Sequence, residues 1–229
     1  MVEEIPKEEQ RILVVLKKKL FGPNGERHFQ GFRKLGEVDY ETLILEGKEI
    51  MRRGSDKEPI DHPEGNAERS LDYKQPIGYM IVANTKTEKI FAYQRSSNDA
   101  HYRESRLQGK WSWGIGGHIE PQDGESNPIR ESRLRELAEE IEIDGKILET
   151  KVLGYINDEA DDVGNVHFGV LYLVEIDGSV KPKPTSKEMA FGNMLSISEL
   201  NELVASVNYE VENWSAIALE PLRKYFEQL

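Results

Sequence analysis

The sequence has no cysteine, no long apolar segment and fewer basic than acidic residues. Without cysteine, disulfide bonds, thiolate nucleophiles and cysteine-ligated zinc or iron–sulfur centres are excluded. The apolar runs, such as residues 12–16 and 168–174, are of strand length and far shorter than the ~20 residues that cross a bilayer. We therefore expect no membrane partner.

The charge balance points to the class of partner. Asp and Glu number 42 against 30 Lys and Arg, so the formal net charge is −12. Such a surface repels nucleic-acid phosphates, and we expect a small-molecule partner and no nucleic acid. The first residues lack a basic region followed by an apolar one, and cysteine is absent, so we expect an unprocessed chain in the cytoplasm.

The chain of 229 residues has no internal repeat, and 38% hydrophobic with 31% charged residues is typical of a globular protein. We predict two parts, an extension at residues 1–74 and a main domain at residues 75–229. Gly, Ser, Asp and Pro collect at residues 54–76, which predicts a long loop before the main domain. Strands are predicted in the extension at residues 11–16, 28–34 and 41–45.

In the main domain the patterns predict a mixed α/β fold. Strands are expected at residues 77–83, 89–94, 110–115, 147–156 and 166–176. Helices are expected at residues 128–142, from Ser196 onward and at residues 211–226. Asn127-Pro128 is typical of a helix start, Ser196 and Glu199 fit a capping box, and Pro221 requires a kink or break in the last helix.

The helix at residues 128–142 carries the candidate chemistry. An apolar stripe at spacing i, i+3, i+4, i+7 predicts its buried face, formed by Leu134, Leu137, Ala138 and Ile141. Glu136, Glu139 and Glu140 share the i, i+3, i+4 relation on the opposite side, so three carboxylates can converge on one point. Clustered carboxylates suit a hard cation such as Mg²⁺, but an ordinary solvated acidic face gives the same pattern.

The residues around this helix favour the metal interpretation. A corner Gly-Gly-His-Ile-Glu at residues 116–120 precedes Gly124-Glu125, and Arg-Glu-Leu-Ala-Glu-Glu follows at residues 135–140. Together they resemble the signature box of the Nudix hydrolase family over residues 117–143, with weaker resemblance over residues 75–205. Two gaps, from Gly117 to Glu125 and from there to Arg135, are each two residues longer than in the family, and Glu142 replaces a glycine.

The resemblance implies an α/β/α sandwich with a mixed sheet and a hydrolase that acts on a nucleoside diphosphate linked to another group. Mg²⁺ or Mn²⁺ would bind Glu136, Glu139 and Glu140, with the Gly117 carbonyl as a further ligand, and water would attack phosphorus. Arg135 would hold the glutamates, and Glu125 would complete the catalytic set. A carboxylate serves as base, and the candidates outside the helix are Glu159, Asp161, Asp162 and Glu188.

Substrate contacts are predicted with less support from the residues. The candidates are Arg95, Trp111, Trp113, Gly116 and Gly117. Core packing is the alternative for the two tryptophans, which share one strand face, and a surface role is the alternative for Arg95 and for Arg103, Arg106 and Lys110, which could steer phosphates. His118 has no second ligand near it in sequence, so we expect a structural role and no zinc site there.

Two other functions compete with hydrolysis. A Nudix-like sensor that binds a nucleotide or sugar nucleotide without turnover would fit the longer gaps and Glu142, but it would not need the glutamate cluster. An isomerase of the isopentenyl diphosphate type uses a cysteine, which this chain lacks. The extension has no recognised motif, and we expect it to supply extra packing or a homodimer contact that shapes the pocket.

Overall fold

The computed structural model describes residues 5–36, 38–97 and 107–229. It shows a mixed α/β fold with a large mixed sheet, which confirms the predicted fold class. The strands are β1 (Arg11–Leu16), β2 (Gly31–Lys34), β3 (Lys48–Arg52), β4 (Tyr73–Asn84), β5 (Lys89–Arg95), β6 (Trp111–Ser112), β7 (Ile141–Asp144), β8 (Ile147–Asn157), β9 (His167–Ile176), β10 (Ser179–Pro182) and β11 (Met189–Leu195). The helices are α1 (Lys17–Phe21), α2 (Tyr40–Gly47), α3 (Pro128–Glu140), α4 (Asp162–Val166), α5 (Ile197–Ala205) and α6 (Asn213–Phe226).

The described chain divides into two compact units. The first unit comprises described residues of Met1–Gly78, Gly117–Ser132 and Tyr155–Val170, and the second comprises those of Tyr79–Gly116, Arg133–Gly154 and Leu171–Leu229. The elements β4, β8, β9 and α3 have residues in both units, and the three strands follow the sheet order β4-β9-β8. The boundary expected at residue 74 stays a prediction.

In the first unit, β1 is an apolar strand with buried residues from Ile12 to Val15. It pairs antiparallel with β3, where Leu13 lies opposite Ile50, and with the start of β4, where Val15 lies opposite Lys74. The predicted strand at residues 11–16 is confirmed. The expected loop up to residue 76 is shorter, because β4 already begins at Tyr73.

The core of the first unit is aromatic. The Tyr40 ring lies 4.8 Å from that of Tyr155 and 5.2 Å from that of Phe168, measured between centroids. The strand predicted at residues 41–45 is wrong, since the segment forms α2. Asp39 caps this helix by accepting a hydrogen bond of 3.1 Å from the Thr42 amide, and helical spacing places Tyr40 and Ile44 on one buried face.

In the second unit, β5 pairs antiparallel with the end of β4, with β6 and with β11. The hairpin predicted from residues 77–83 and 89–94 is confirmed. The strand predicted at residues 110–115 is reduced to Trp111–Ser112, since only this dipeptide pairs with β5. The capping box of Ser196 and Glu199 is present at the start of α5, and α6 continues through Pro221.

Helix α3 ends two residues earlier than predicted. Ile141 begins β7, which pairs with β10 and places Ile143 opposite Val180. Glu142 therefore lies on a strand, where its carboxylate forms an ion pair of 2.9 Å with Lys181. The family's glycine is not needed at this position, because the chain leaves the helix directly into an extended strand.

The predicted buried face of α3 is partly wrong. Leu137 and Ile141 are buried, but Leu134 is 45% exposed and Ala138 is also exposed. The reason is that the helix turns a polar position inward, since the side chain of Glu136 is only 14% exposed. Hydrophobic periodicity alone does not predict that a glutamate lies on the buried side of the helix.

Candidate active site

The C-terminal half of α3 orders two of its glutamates through one arginine. Nη1 of Arg135 donates a hydrogen bond of 2.7 Å to Oε1 of Glu136 and lies 3.6 Å from Oε2 of Glu139. The Glu139 side chain is 55% exposed, so the two carboxylates differ in their access to water. The catalytic role that the family resemblance implies for Arg135 stays a prediction.

The segment before β11 packs on the end of α3. The Lys183 amide donates a hydrogen bond of 2.9 Å to the Glu140 carbonyl oxygen, and the Ser186 hydroxyl donates to the Glu140 carboxylate. The same hydroxyl accepts from the Glu188 amide at 3.3 Å. This segment therefore fixes the Glu140 side chain and carries a further carboxylate, Glu188, to the helix.

Two glutamates of this site have raised pKa values. Burial raises the pKa of Glu136 to about 7, Arg135 opposes the shift, and the charges of Glu188 and Glu139 add to it. Burial also raises the pKa of Glu140, against the hydrogen bond from Ser186, and Glu188 again adds to the increase. These carboxylates repel one another in a partly dry environment, which is a condition that a cation relieves.

Glu188 is itself held by a buried arginine. Nη1 of Arg95 lies 2.7 Å from Oε2 of Glu188, and its Nε donates to Glu212. Glu212 also accepts a hydrogen bond of 2.9 Å from Ser112. The arrangement gives Arg95 a positioning function for Glu188, while its contact with substrate stays a prediction.

The other predicted acids lie in the first unit and have structural partners. Glu159 lies 3.0 Å from the Lys74 ammonium group, and Asp161 caps α4 by accepting from the Gly164 amide at 2.7 Å. Asp162 is exposed on the first turn of α4. Of the four candidate bases, Glu188 is the one that the described structure places beside glutamates of α3.

The predicted substrate-binding tryptophans are buried. Trp113 is 1% exposed, and the Trp111 ring packs edge-on against Phe191 at a centroid distance of 5.2 Å. Both observations favour the core-packing alternative. Gly114 has a packing role as well, because a Cβ there would lie 1.8 Å from the Tyr79 ring.

Gly116 and Gly117 are half-buried, and Gly117 lies in the first unit with Glu125. The longer gap before Glu125 is taken up by a 3₁₀ turn at Pro121–Asp123, where the Glu120 amide donates a hydrogen bond of 2.7 Å to Asp123. Glu125 is exposed, and its carbonyl accepts from Lys48 at 2.9 Å. The metal and catalytic roles expected for Gly117 and Glu125 stay predictions.

Two of the residues expected to steer phosphates, Arg103 and Arg106, lie outside the described residues. Of the other two, Lys110 lies 3.8 Å from Glu210, and Arg95 is buried, so the surface role given as its alternative is wrong. The expectation that His118 has no second ligand nearby is wrong, since its Nε2 lies 3.2 Å from that of His167 and 3.9 Å from Oε1 of Glu68. These residues are 49 and 50 positions away in sequence, and no local pattern connects them.

Comparison with known proteins now decides the family. Residues 74–215, more than half of the chain, match the NUDIX domain. The chain belongs to the Nudix family. This Nudix protein is 32% identical to protein YmaB of Bacillus subtilis over 162 residues, which cover 69% of this chain and 75% of YmaB.

One solved structure supports the fold. The crystal structure of Tm1382, a candidate Nudix hydrolase, aligns with a TM-score of 0.70 and 22% identity, covering 94% of this chain and all of Tm1382. DR0079 of Deinococcus radiodurans aligns with a TM-score of 0.49 and 15% identity, over 85% of this chain and 96% of that one. In the described part of this Nudix protein, none of the helices has the length and hydrophobicity needed to cross a membrane.

Proposed function

We propose that the protein is a Nudix hydrolase that cleaves a phosphoanhydride bond in a nucleoside diphosphate linked to another group, with Mg²⁺ or Mn²⁺ as cofactor. The observation that carries the proposal is the meeting of the Glu140 carboxylate with the segment that bears Ser186 and Glu188. On a fully solvated acidic face, the Glu140 side chain would have no such partner from another segment of the chain. Residues 75–229 would form the hydrolase domain.

The donor set of α3 fits a hard divalent cation. Glu136, Glu139 and Glu140 offer carboxylate oxygens, and they include no nitrogen or sulfur ligand that would favour a softer metal. The cation would polarise the phosphate oxygens and offset the repulsion between an anionic substrate and these carboxylates. The Gly117 carbonyl is proposed as a further ligand from the family pattern, as is Glu125 as a member of the catalytic set.

Two arginines order the acids around the substrate. Arg135 keeps Glu136 oriented through the hydrogen bond of 2.7 Å. Arg95 holds Glu188, for which we propose the role of general base, accepting a proton at its carboxylate from the water that attacks phosphorus. The base-stacking contacts expected at Trp111 and Trp113 stay predictions that their burial does not favour.

The remaining proposals follow from composition. A net charge of −12 favours a small nucleoside diphosphate derivative over nucleic acid as partner. A cytoplasmic location is proposed from the absence of cysteine. A homodimer contact through residues 1–74 is proposed because this extension has no recognised motif of its own.

The experiment measures the nucleoside monophosphate released, by chromatography, with Mg²⁺ or Mn²⁺ over dinucleotides, sugar nucleotides and nucleoside triphosphates. Glu140→Gln should reduce turnover at least about 100-fold, because it removes a charged ligand and keeps the shape of the side chain. Glu131→Gln, an exposed position on the same helix, is the matched control and should keep its rate. Equal rates for Glu140→Gln and the unmodified protein reject the site, and binding of a panel compound without turnover supports the sensor.

A further inference from the structure

The first unit contains a second group of metal-ligating side chains, which the proposed hydrolysis does not use. Glu68, His118 and His167 each present one ligand atom, and these atoms all lie within 4.8 Å of one another. Glu68 and His167 are buried, and His118 is nearly so. We propose that these three residues form a zinc site.

The donor chemistry selects zinc over magnesium. Two imidazole nitrogens and one carboxylate form a set that binds Zn²⁺ with one position left for water, whereas Mg²⁺ prefers oxygen ligands alone. In a tetrahedral site with bonds of about 2.0–2.1 Å, neighbouring ligand atoms lie roughly 3.3 Å apart. The Nε2 atoms of His118 and His167 are 3.2 Å apart, so the pair already has this spacing.

Hydrogen bonds orient two of the three side chains, His167 and Glu68, for metal binding. Nδ1 of His167 lies 2.6 Å from the Val163 carbonyl oxygen, which places its proton there and makes Nε2, on the side of His118, the unprotonated nitrogen. Nε of Arg53 donates a hydrogen bond of 3.0 Å to Oε1 of Glu68 and holds the carboxylate. In metal centres, ligating histidines typically donate their other ring N–H to a carbonyl, and ligating carboxylates typically accept hydrogen bonds.

His118 must change its proton position for zinc to bind. Gln75 donates from Nε2 to the Ala67 carbonyl at 3.1 Å, so its Oε1 faces Nε2 of His118 at 2.6 Å as an acceptor. In the metal-free protein, Nε2 of His118 therefore carries the proton. With zinc this proton moves to Nδ1, the imidazole stays neutral, and the contact with Gln75 is lost.

A bound zinc ion would join three distant stretches of the chain. Glu68 lies on the 3₁₀ turn before β4, His118 follows the Gly116-Gly117 corner, and His167 begins β9. Because the ion binds only the folded arrangement, zinc should raise the thermal midpoint of the chelator-stripped protein, by roughly 5 °C at saturating metal.

The test uses the tag-free full chain, stripped of metal and titrated calorimetrically with Zn²⁺ in excess Mg²⁺, so that the glutamates of α3 do not report. One zinc per chain is expected. His167→Gln should weaken binding at least about 100-fold, since it removes a ligand, whereas His62→Gln, in the same unit but outside the cluster, should change it less than about threefold. Equal affinity of His167→Gln and the unmodified protein overturns the proposal.

A second measurement needs no variant and covers the case in which His167→Gln does not fold. Zinc K-edge X-ray absorption of the unmodified protein in excess Mg²⁺ should show two imidazole ligands and oxygen donors. A spectrum with oxygen ligands alone, or a chain that binds no zinc, overturns the site. Neither outcome affects the hydrolase proposal, since that proposal rests on α3 and on the segment that bears Ser186 and Glu188.

Discussion

Each unit contains a partly buried carboxylate, and the two have pKa values shifted in opposite directions. Burial alone would raise the pKa of Glu159 in the first unit, but Lys74, then Lys17 and His28, lower it to about 2. In the second unit, burial raises the pKa of Glu136 to about 7, and neighbouring carboxylates add to the increase.

The negative charge of Glu159 is neutralised by a neighbouring lysine, whereas the charges of Glu136 and Glu140 are only partly neutralised. Lys74 is fully buried and neutralises Glu159 from 3.0 Å away, so the chain itself supplies the opposing charge. Around Glu136 and Glu140, Arg135 and Arg95 oppose the increases in pKa, but they do not overcome burial and the neighbouring carboxylates. We expect the first arrangement to stabilise the fold, whereas the second costs stability unless the proposed cation is bound.

The largest expected effect comes from breaking the ion pair of Glu159 and Lys74. Glu159→Gln should lower the free energy of unfolding at neutral pH by about 3 kcal/mol, because it leaves the buried Lys74 ammonium group without its carboxylate. Urea unfolding at pH 7 measures the change. The exposed Glu64→Gln in the same unit is the control, with an expected change within about 0.5 kcal/mol.

A double variant sharpens this result. Lys74→Met combined with Glu159→Gln removes both charges and should recover part of the stability lost in Glu159→Gln. A double variant less stable than Glu159→Gln would show that Lys74 stabilises the fold through other contacts, such as its hydrogen bond of 2.9 Å to the Gly164 carbonyl.

The opposite sign is expected in the second unit. Glu136→Gln should raise the free energy of unfolding of the chelated, metal-free protein by about 1 kcal/mol, because it removes a charge that burial and Glu188 both disfavour. Glu139→Gln, on an exposed position of the same helix, should change it by less. Urea unfolding in chelator compares the three proteins, and destabilisation by Glu136→Gln would contradict the idea that its charge is only partly neutralised.

The i, i+3, i+4 spacing predicted that Glu136, Glu139 and Glu140 group on one helix face. In the structure Arg135 contacts Glu136 and Glu139, whereas Glu140 bonds Ser186, and a metal site shared by the three stays a prediction. Helical periodicity misjudged the inward face, because it treats Leu134 as a core residue and cannot include the ion pair with Arg135 that accompanies the burial of Glu136.

Residues that reach the site from distant parts of the chain could not be predicted from local sequence patterns. Ser186 meets Glu140 across 46 positions, and His167 meets His118 across 49. Such contacts depend on the order of the strands and the course of the loops, which the periodicity of a single sequence does not reveal. Glu188 was one of four equivalent acids in the sequence, and only its placement beside α3 separates it from Glu159.

The smallest expected effect is the pH dependence of the ion pair of Glu159 and Lys74. The folded pKa of Glu159 is about 2, below its ordinary 4.5, so the unfolded chain binds the proton first as the pH falls. This contribution is fully present above about pH 5 and is lost progressively toward pH 2, while Lys74, with a pKa of about 8, stays charged in this window. From about pH 6 to about pH 4, the unmodified protein should lose about 0.5 kcal/mol more stability than Glu159→Gln, the partial exposure of the carboxylate keeping the value small. Urea unfolding of both proteins across this range measures the difference, and parallel curves would mean that Glu159 is not held ionised by Lys74.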